Sequence, residues 1–556
     1  MRLFISRLRR NPLLAFEILT GTFFITVLNL ALPVYVIILL RKYLTSGFQG
    51  TLITLTAGVL LAIALQAAFK FLRTKMALAL NTQANEGLVR DYLQILLQAR
   101  AGALEQLPPE FIQAVPGKLQ KVQNAYSGPT LTALLDAPFS LLYILAVFLL
   151  SPLLGAISVF FFVLLLALGV FNIHASQKEM QELNDKVAVH NRDILAAVKG
   201  VDTARLFGGE EYFVRKWDQE LPAVSHVRER MVEKQDIHQN FSQSGNMLMS
   251  VGLYALGAPL VINGNLTVAT LIGANILASR AYQNLVRAIQ SGYLLKKSGR
   301  ALNDLEMLRN LPTRSKAGTA LSRLNGAVRL RELGYAYPRS DSSVFQDVYL
   351  RVDPGQILVI SGPNGSGKTT LSRLLAGLLE PQQGDILVDG VNLKQVSLKW
   401  WREQLIYLPE TLSFVSGTLR QNITLPRPEI EDGDLNNILR MTGLRPFLDN
   451  MPAGLETMIS AEGSEFPPGI RKRLALARAM TTGGRLAILD EPDSGLDYFA
   501  RNDLYALLNH LHGSERTIIV FSNDPKIIKA AHIHYRLDAK SRKSVSEPGF
   551  ADSGEA

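Results

Sequence analysis

In the first half of the chain, apolar residues come in long uncharged runs rather than in alternation. Residues 18–40, 43–69, 137–177 and 239–279 contain no Asp, Glu, Lys or Arg. The third run is interrupted by Ser151-Pro152 and the fourth by Asn263-Gly264-Asn265, turn signals inside stretches long enough for two helices each. A bilayer core takes about 20 apolar residues per helix, so the four runs predict six membrane spans. The connections 70–124 and 178–238 are polar but keep a helical spacing of apolar residues, as in QANEGLVRDYLQILLQA and EEYFVRKWDQEL. They are expected to carry the membrane helices out of the bilayer. Pro108-Pro109 breaks the first connection. Phe207-Gly208-Gly209 turns the second, just before a short helix opening at Glu210-Glu211. Each tip is either a contact point for a soluble domain or a solvated turn.

From about Gly326 the pattern changes to short β runs separated by helical stretches: GQILVISG, GDILVDG, LAILDE and RTIIVFS. This predicts an all-α membrane domain of six transmembrane helices over 1–325, an α/β domain over 326–540, and a polar, disordered tail over 541–556.

Charge gives this arrangement a direction. Arg2, Arg7, Arg9 and Arg10 precede the first span, and both long connections are rich in Lys and Arg. The opposite side receives short turns, with Arg41 and Lys42 as its clear charges. Basic loops stay cytoplasmic, which places the N-terminus and the α/β domain there. The net charge of +10 then belongs to the cytoplasmic loops of a membrane protein, and no nucleic-acid partner is expected. The chain has no cysteine, which excludes disulfides, thiolate zinc sites and cysteine-nucleophile chemistry. The first apolar run is long and lacks a small-residue cleavage site, so it reads as a retained span. Charges at membrane depth must face a cavity or a partner. Asp136 is expected to cap its helix at the interface, and Arg280 to line a pathway.

The first β run leads straight into GPNGSGKTT. Gly362, Gly367, Lys368 and Thr369 have P-loop spacing, between a strand and the helical LSRLLAGLL. Glycines let backbone N–H groups close around phosphate oxygens, Lys368 adds a point charge, and Thr369 offers a hydroxyl to Mg²⁺. Asn364, Gly365, Ser366 and Thr370 complete the loop as candidate nucleotide contacts. The run LAIL ends in Asp490-Glu491. Asp490 suits Mg²⁺ coordination and Glu491 suits polarising an attacking water.

With six spans followed by these motifs, the chain resembles an ABC exporter over nearly its whole length. The resemblance implies further roles by position. Tyr337 in YAYP resembles the aromatic that stacks on adenine, SGLD ending in Asp497 resembles the D-loop, and Glu462-Gly463 resembles the loop that senses the membrane domain. VLNLALPVYV and LVINGNLTVATLIGANILA resemble the bacterial type I secretion exporters. That likeness implies an inner-membrane location, a secreted protein substrate, a periplasmic adaptor and an outer-membrane channel. Some relatives carry an N-terminal peptidase or peptidase-like domain; here the first span begins almost at once, so that domain is expected to be absent. A peptide, lipid or glycan remains open as the substrate, and membrane lipids surround the spans.

Three positions depart from the family pattern. Phe466, Pro467, Pro468, Gly469 and Ile470 stand where Leu-Ser-Gly-Gly-Gln is usual. Pro467 removes the serine hydroxyl, and neither proline has an N–H. These are the groups that would meet the γ-phosphate of ATP on an opposite subunit. Glu410 replaces a glutamine and adds a carboxylate near Mg²⁺. Asn523 replaces a histidine and cannot carry a proton at neutral pH. His532 and His534 read as strand residues. Two functions compete: an exporter subunit that hydrolyses ATP weakly, or a nucleotide-holding regulatory or structural subunit. Because the nucleotide domains of this family pair head to tail, a homodimer would carry the departure Phe466–Ile470 at both sites, so a heterodimer with a second ABC subunit is expected rather than a homodimer. A soluble ABC protein acting on DNA or ribosomes would lack the spans.

Overall fold

The structure is a computed structural model and describes residue 9 and residues 11–44, 47–175, 177–313, 318–338, 342–537 and 545–548. Arg2, Arg7 and Arg10, on which the orientation partly rests, lie outside the described residues. The chain forms two compact units: Met1–Leu97 with Pro108–Asn310, and Gln98–Leu107 with Leu311–Ala556.

The first unit is helical. Its membrane helices are α1 (Pro12–Leu28), α2 (Ala31–Ile38), α3 (Gln49–Gln98), α4 (Gly128–Leu150), α5 (Pro152–Ala175), α6 (Glu210–Ile262) and α7 (Val268–Lys297). α1 and α2 act as one interrupted span. By length and composition, five described helical stretches are able to cross a membrane, from Pro12–Tyr43 to Asn240–Ile262. α7 is the sixth and more polar helix, carrying Asn275, Arg280, Asn284 and Arg287. The turns fall at Ser151 and at Asn263-Gly264, as the sequence predicts.

Two expectations are corrected here. The helix opening at Glu210 is not short: it runs unbroken for 53 residues into the fifth span, with Pro222 inside it. Asp136 does not cap its helix, which begins eight residues earlier at Gly128. It sits inside α4, paired at 2.5 Å with Arg73 of α3. That pairing satisfies a charge which could not otherwise stay at this depth. Arg280 has also found partners, donating to the Asn29 carbonyl at 2.7 Å and to Asn29 Oδ1 at 2.6 Å. The core of this unit packs Tyr143, Val147, Leu154, Met249, Leu253 and Leu277. Small residues on α7 let it approach its neighbours closely: a Cβ on Gly273 would lie 2.5 Å from Ile37 Cδ1. At the tip of the second connection, Leu206 and Phe207 are 77% and 78% exposed, apolar surface that a purely solvated turn does not require.

In the second unit a four-stranded sheet has the order β2-β1-β4-β5. Its strands are β1 (Val328–Ala336), β2 (Ser343–Val352), β4 (Gln383–Val388) and β5 (Val391–Asn392). A six-stranded sheet has the order β12-β11-β3-β10-β9-β6. It contains β3 (Ile357–Ser361), β6 (Leu405–Leu408), β9 (Leu486–Asp490), β10 (Thr517–Phe521), β11 (Ile533–Arg536) and the edge strand β12 (Val545–Pro548). The short pair β7 (Gly417–Thr418) and β8 (Met458–Ile459) stands apart. β3, β9 and β10 are buried at every residue. This is why they read as continuous apolar runs, the mark of parallel strands covered on both faces.

The boundaries differ from the sequence expectation. The second unit begins at Leu311, ahead of Gly326, because Leu324 is buried in its core. Residues 98–107 join it too: Arg100 N donates to Pro312 O, Arg100 pairs with Glu380, and Glu105 pairs with Arg373. Pro108-Pro109 therefore ends a contact tip. The tail is not wholly without structure either, since Val545–Pro548 pairs antiparallel with Ile533–Arg536. An open sheet edge offers unpaired backbone groups that such a strand satisfies.

Candidate nucleotide site

The site grows from the ends of the parallel strands, where open α/β sheets bind ligands. β3 delivers the chain into the loop 362–367, and α8 (Lys368–Leu375) follows it. Two glycines are fixed by geometry. Gly367 takes φ 99° as the residue before the helix, a conformation that disfavours any Cβ. A Cβ on Gly362 would come within 2.4 Å of Leu537 O. The loop and its surroundings line a cavity of about 490 Å³ with Tyr337, Val344, Asn364, Gly365, Ser366, Gly367, Lys368, Thr369, Thr370, Glu410 and Glu491.

The register of the sheet brings Asp490 beside the loop. Ile360 pairs with Phe521, and Phe521 pairs with Asp490. Asp490 is fully buried, and both its carboxylate oxygens lack a hydrogen-bond partner. Ser366 Oγ is likewise buried and unpaired. Unsatisfied buried oxygens of this kind are costly unless a ligand completes them. An anionic phosphate at the loop and a hard cation at Asp490 fit both. Mg²⁺ uses one or two protein oxygens and takes the rest from phosphate and water, so the Thr369 hydroxyl and Asp490 suffice to hold it.

Lys368 is 5% exposed. Its Nζ donates to Gly362 O at 2.8 Å and Pro363 O at 3.4 Å, and stands 3.5 Å from Glu491 Oε1. Glu491 takes φ 45°, a strained conformation for a residue with a side chain and one that clusters at functional sites. The Thr369 hydroxyl donates to Glu410 Oε2 at 2.6 Å, so the added carboxylate does lie against the expected Mg²⁺ ligand. Tyr337 OH is 3.1 Å from Thr370 Oγ1.

Not every predicted residue enters this cavity. Asn523 sits beneath it: its Oδ1 accepts from Gly362 N and its Nδ2 donates to Gly362 O, both at 2.9 Å. The side chain braces the base of the loop in both directions. Asp497 caps α10 (Tyr498–Gly513) by accepting from Ala500 N at 2.7 Å. Phe466 is 7% exposed and meets Phe447 edge-on, in the core of this chain. Pro467 and Pro468 are exposed at the start of α9 (Pro468–Met480), with Gly469 half-buried behind them. None of the three lines this chain's own cavity. His534 is indeed a strand residue, with Nε2 at 2.8 Å from Ser361 Oγ.

Lys472 is a site residue that sequence reasoning missed. In RKRLALARAM it looks like one more solvated cation, yet it is 6% exposed and donates to the Glu491 carbonyl at 2.5 Å and the Ser494 carbonyl at 2.6 Å. Burial lowers its pKa, and Asp493, Glu491, Asp490 and Glu410 oppose that effect. The turn after β9 is thus held by a cation from α9.

Burial raises the Asp490 pKa to about 6; Glu410 adds to the effect, and nearby Thr369 and Ser372 hydroxyls offset it in part. Only the ionised form binds a cation, so protons compete with Mg²⁺ on the acid side of that value. The apparent Mg²⁺ affinity should be level above neutrality and fall by up to about tenfold per pH unit below about pH 6. Glu410→Gln removes the second cause and should move the midpoint to lower pH. Titrating Mg²⁺-dependent nucleotide binding from pH 5 to 8 checks this; an affinity that stays level throughout would refute it.

Comparison with known proteins matches this geometry. The family described as ABC transporter covers residues 345–494, and the ABC transporter transmembrane region covers residues 15–285. The chain is 24% identical over 518 residues to the exotoxin translocation ATP-binding protein PaxB of Pasteurella aerogenes, spanning 93% of this chain and 72% of that one. It is 24% identical over 542 residues to the alpha-hemolysin translocation ATP-binding protein HlyB of Escherichia coli O157:H7, with coverages of 96% and 75%. The cyclolysin secretion/processing ATP-binding protein CyaB of Bordetella pertussis is 24% identical over 543 residues, with coverages of 95% and 74%. The fold matches a solved bacterial Atm1-family ABC exporter with ATP bound, at a TM-score of 0.82 and 18% identity over 96% of this chain and 94% of that one. A membrane-spanning helical region, a P-loop between strand and helix, and a buried acid at the neighbouring strand end all stand on one polypeptide: the chain belongs to the ABC transporters, as an exporter half-transporter similar to type I secretion proteins.

Proposed function

We propose that this chain is the ATP-binding and permease subunit of a bacterial inner-membrane exporter for a protein substrate, working in a heterodimer with two unequal ATP sites. The proline pair at Pro467 and Pro468 carries this reading. ABC nucleotide domains pair head to tail, so each ATP meets one subunit's P-loop and the other's signature. This chain offers its own P-loop cavity complete, with Lys368, Thr369 and Asp490 in place. To a partner's ATP it offers two exposed prolines without donors. In a homodimer both sites would be impaired; beside a partner with a typical signature, only the partner's ATP would be.

In this chain's own site, Tyr337 supports the base and the loop amides with Lys368 hold the phosphates. Thr369 and Asp490 would hold Mg²⁺, which would supply positive charge to offset that developing on the phosphates. Glu491 orients the attacking water. Glu410 competes for the Thr369 hydroxyl, and Asn523 is occupied with Gly362, so turnover is slow. That occupation of Asn523 also favours a second reading, a regulatory subunit that closes on ATP with little hydrolysis. The relatives are named for translocating protein toxins, which supports a secreted protein over a peptide, lipid or glycan. On this reading the N-terminus and ATPase domain are cytoplasmic, and a periplasmic adaptor and outer-membrane channel complete the path.

The chain purified alone should show almost no ATPase. Combined with its co-encoded ABC partner it should show slow turnover that Glu491→Gln abolishes. Brisk, Glu491-dependent hydrolysis by a symmetric dimer of this chain alone would overturn the unequal-site reading.

A further inference from the structure

α3 and α7 meet on a single residue of the first span. Asn29 stands where α1 has ended and α2 has not begun. Its Oδ1 accepts from Gln66 Nε2 of α3 at 2.8 Å and from Arg280 Nη1 of α7 at 2.6 Å. Beyond this junction both helices carry cations in the same direction along the unit. On α3, Lys70 lies one turn past Gln66 and Arg73 nearly one turn further. On α7, Arg287 lies two turns past Arg280. At about 1.5 Å of rise per residue, Lys70 and Arg287 lie roughly 6 and 10 Å beyond the junction.

The charged groups that act on Lys70 are Arg287, Arg73, Arg280 and Asp136. That is four cations with one acid. Arg73 takes the acid, and its own Nε is buried with no acceptor. Arg280 is held by neutral oxygens of Asn29, and Arg287 by the neutral Oδ1 of Asn284 at 2.7 Å. Among the described residues the Lys70 ammonium makes no hydrogen bond or ion pair, while the Lys70 carbonyl accepts from Thr74 Oγ1 at 2.8 Å. Lys70 and Arg287 are exposed on the isolated chain. Surplus positive charge between membrane helices is costly and marks ligand pathways.

We propose that Lys70, Arg73, Arg280 and Arg287 form a binding site for an acidic segment of the transported polypeptide. The identity of the substrate as a polypeptide rests on the export reading above; the preference for carboxylates rests on the cations. Their spread along the helix axes decides between anions. An extended peptide advances about 3.3–3.6 Å per residue, so successive carboxylates reach cations at several levels. A lipid phosphate occupies one level only.

The test uses the full chain with its ABC partner in nanodiscs of zwitterionic phosphatidylcholine. The probes are a fluorescent twenty-residue peptide alternating Asp and Gly, and its Asn/Gly counterpart. By anisotropy the Asp peptide should bind at least tenfold tighter, with the margin shrinking at high salt. Lys70→Gln and Arg287→Gln should each weaken it by about tenfold, the loss expected for one charged hydrogen bond, and leave ATP binding unchanged. Equal affinity for the two peptides, or indifference to both substitutions, would overturn the site. So would substitutions that reduce only the retention of phosphatidylglycerol in mixed-lipid nanodiscs, which would make a headgroup the ligand. Secretion of the co-encoded protein substrate, measured in parallel, separates the two claims. Its failure with peptide binding intact counts against the secretion reading; lost peptide discrimination with secretion intact counts against this site alone.

Discussion

Replacing Lys368 with alanine is expected to weaken ATP binding by about 10- to 100-fold, the equivalent of losing one charge-assisted hydrogen bond of roughly 1.5–3 kcal/mol. Lys368 is the buried cation of the cavity, and its Nζ lies between the loop carbonyls and Glu491. Those contacts are local, so the ammonium needs only to exchange them for phosphate oxygens when nucleotide arrives. Removing it leaves Glu491 without its counter-charge beside an incoming polyanion, which adds repulsion to the lost attraction. Nucleotide binding to purified protein, by calorimetry or fluorescent analogue, reads the effect. Gly362 O loses the ammonium's hydrogen bond but keeps that of Asn523, and Gly362 N still donates to Asn523, so the variant should fold, with a thermal midpoint without nucleotide near that of the parent. Unchanged affinity in a folded variant would remove the assignment of this cavity to ATP.

Restoring the signature should have the larger effect on rate. Pro467→Ser with Pro468→Gly returns one hydroxyl and two backbone N–H groups to the start of α9. A single preorganised donor at a charge-stabilising site is worth on the order of 10²–10³ in rate. The double variant, purified alone as a dimer, is therefore expected to hydrolyse ATP on the order of 10² faster than the parent. A serine at position 467 would also cap α9, which has no side-chain cap in the parent, and caps contribute about 0.5–2 kcal/mol to stability. The two contributions are separable. A raised thermal midpoint with no gain in turnover would mean that the prolines matter only to the helix, and the impaired-site reading would fail.

The sequence was most informative where one local pattern suffices. Uncharged runs of about 20 residues identify spans because no partner is needed to make lipid exclude charge. Ser151-Pro152 and Asn263-Gly264-Asn265 place turns because backbone restriction is local. The P-loop is legible because its glycines, Lys368 and Thr369 are contiguous, and Asp490 because a fully buried strand ends in a carboxylate. By itself, then, the sequence determined the membrane helices, the order of the domains and the nucleotide cavity's main residues. Tertiary structure decided what depends on a distant partner. Asp136 looked like a cap until Arg73, 63 residues away, was brought against it. Phe466 has no periodicity that marks it as core, and it becomes so only where Phe447 meets it edge-on. Lys472 looked solvated until the Glu491 and Ser494 carbonyls accepted hydrogen bonds from its ammonium. Asn523 proved to be a brace only once β3 and β10 lay side by side. In each case the residue type allowed two fates, and the choice rested on which group the fold placed within hydrogen-bonding or van der Waals reach, a quantity that no spacing along the chain encodes.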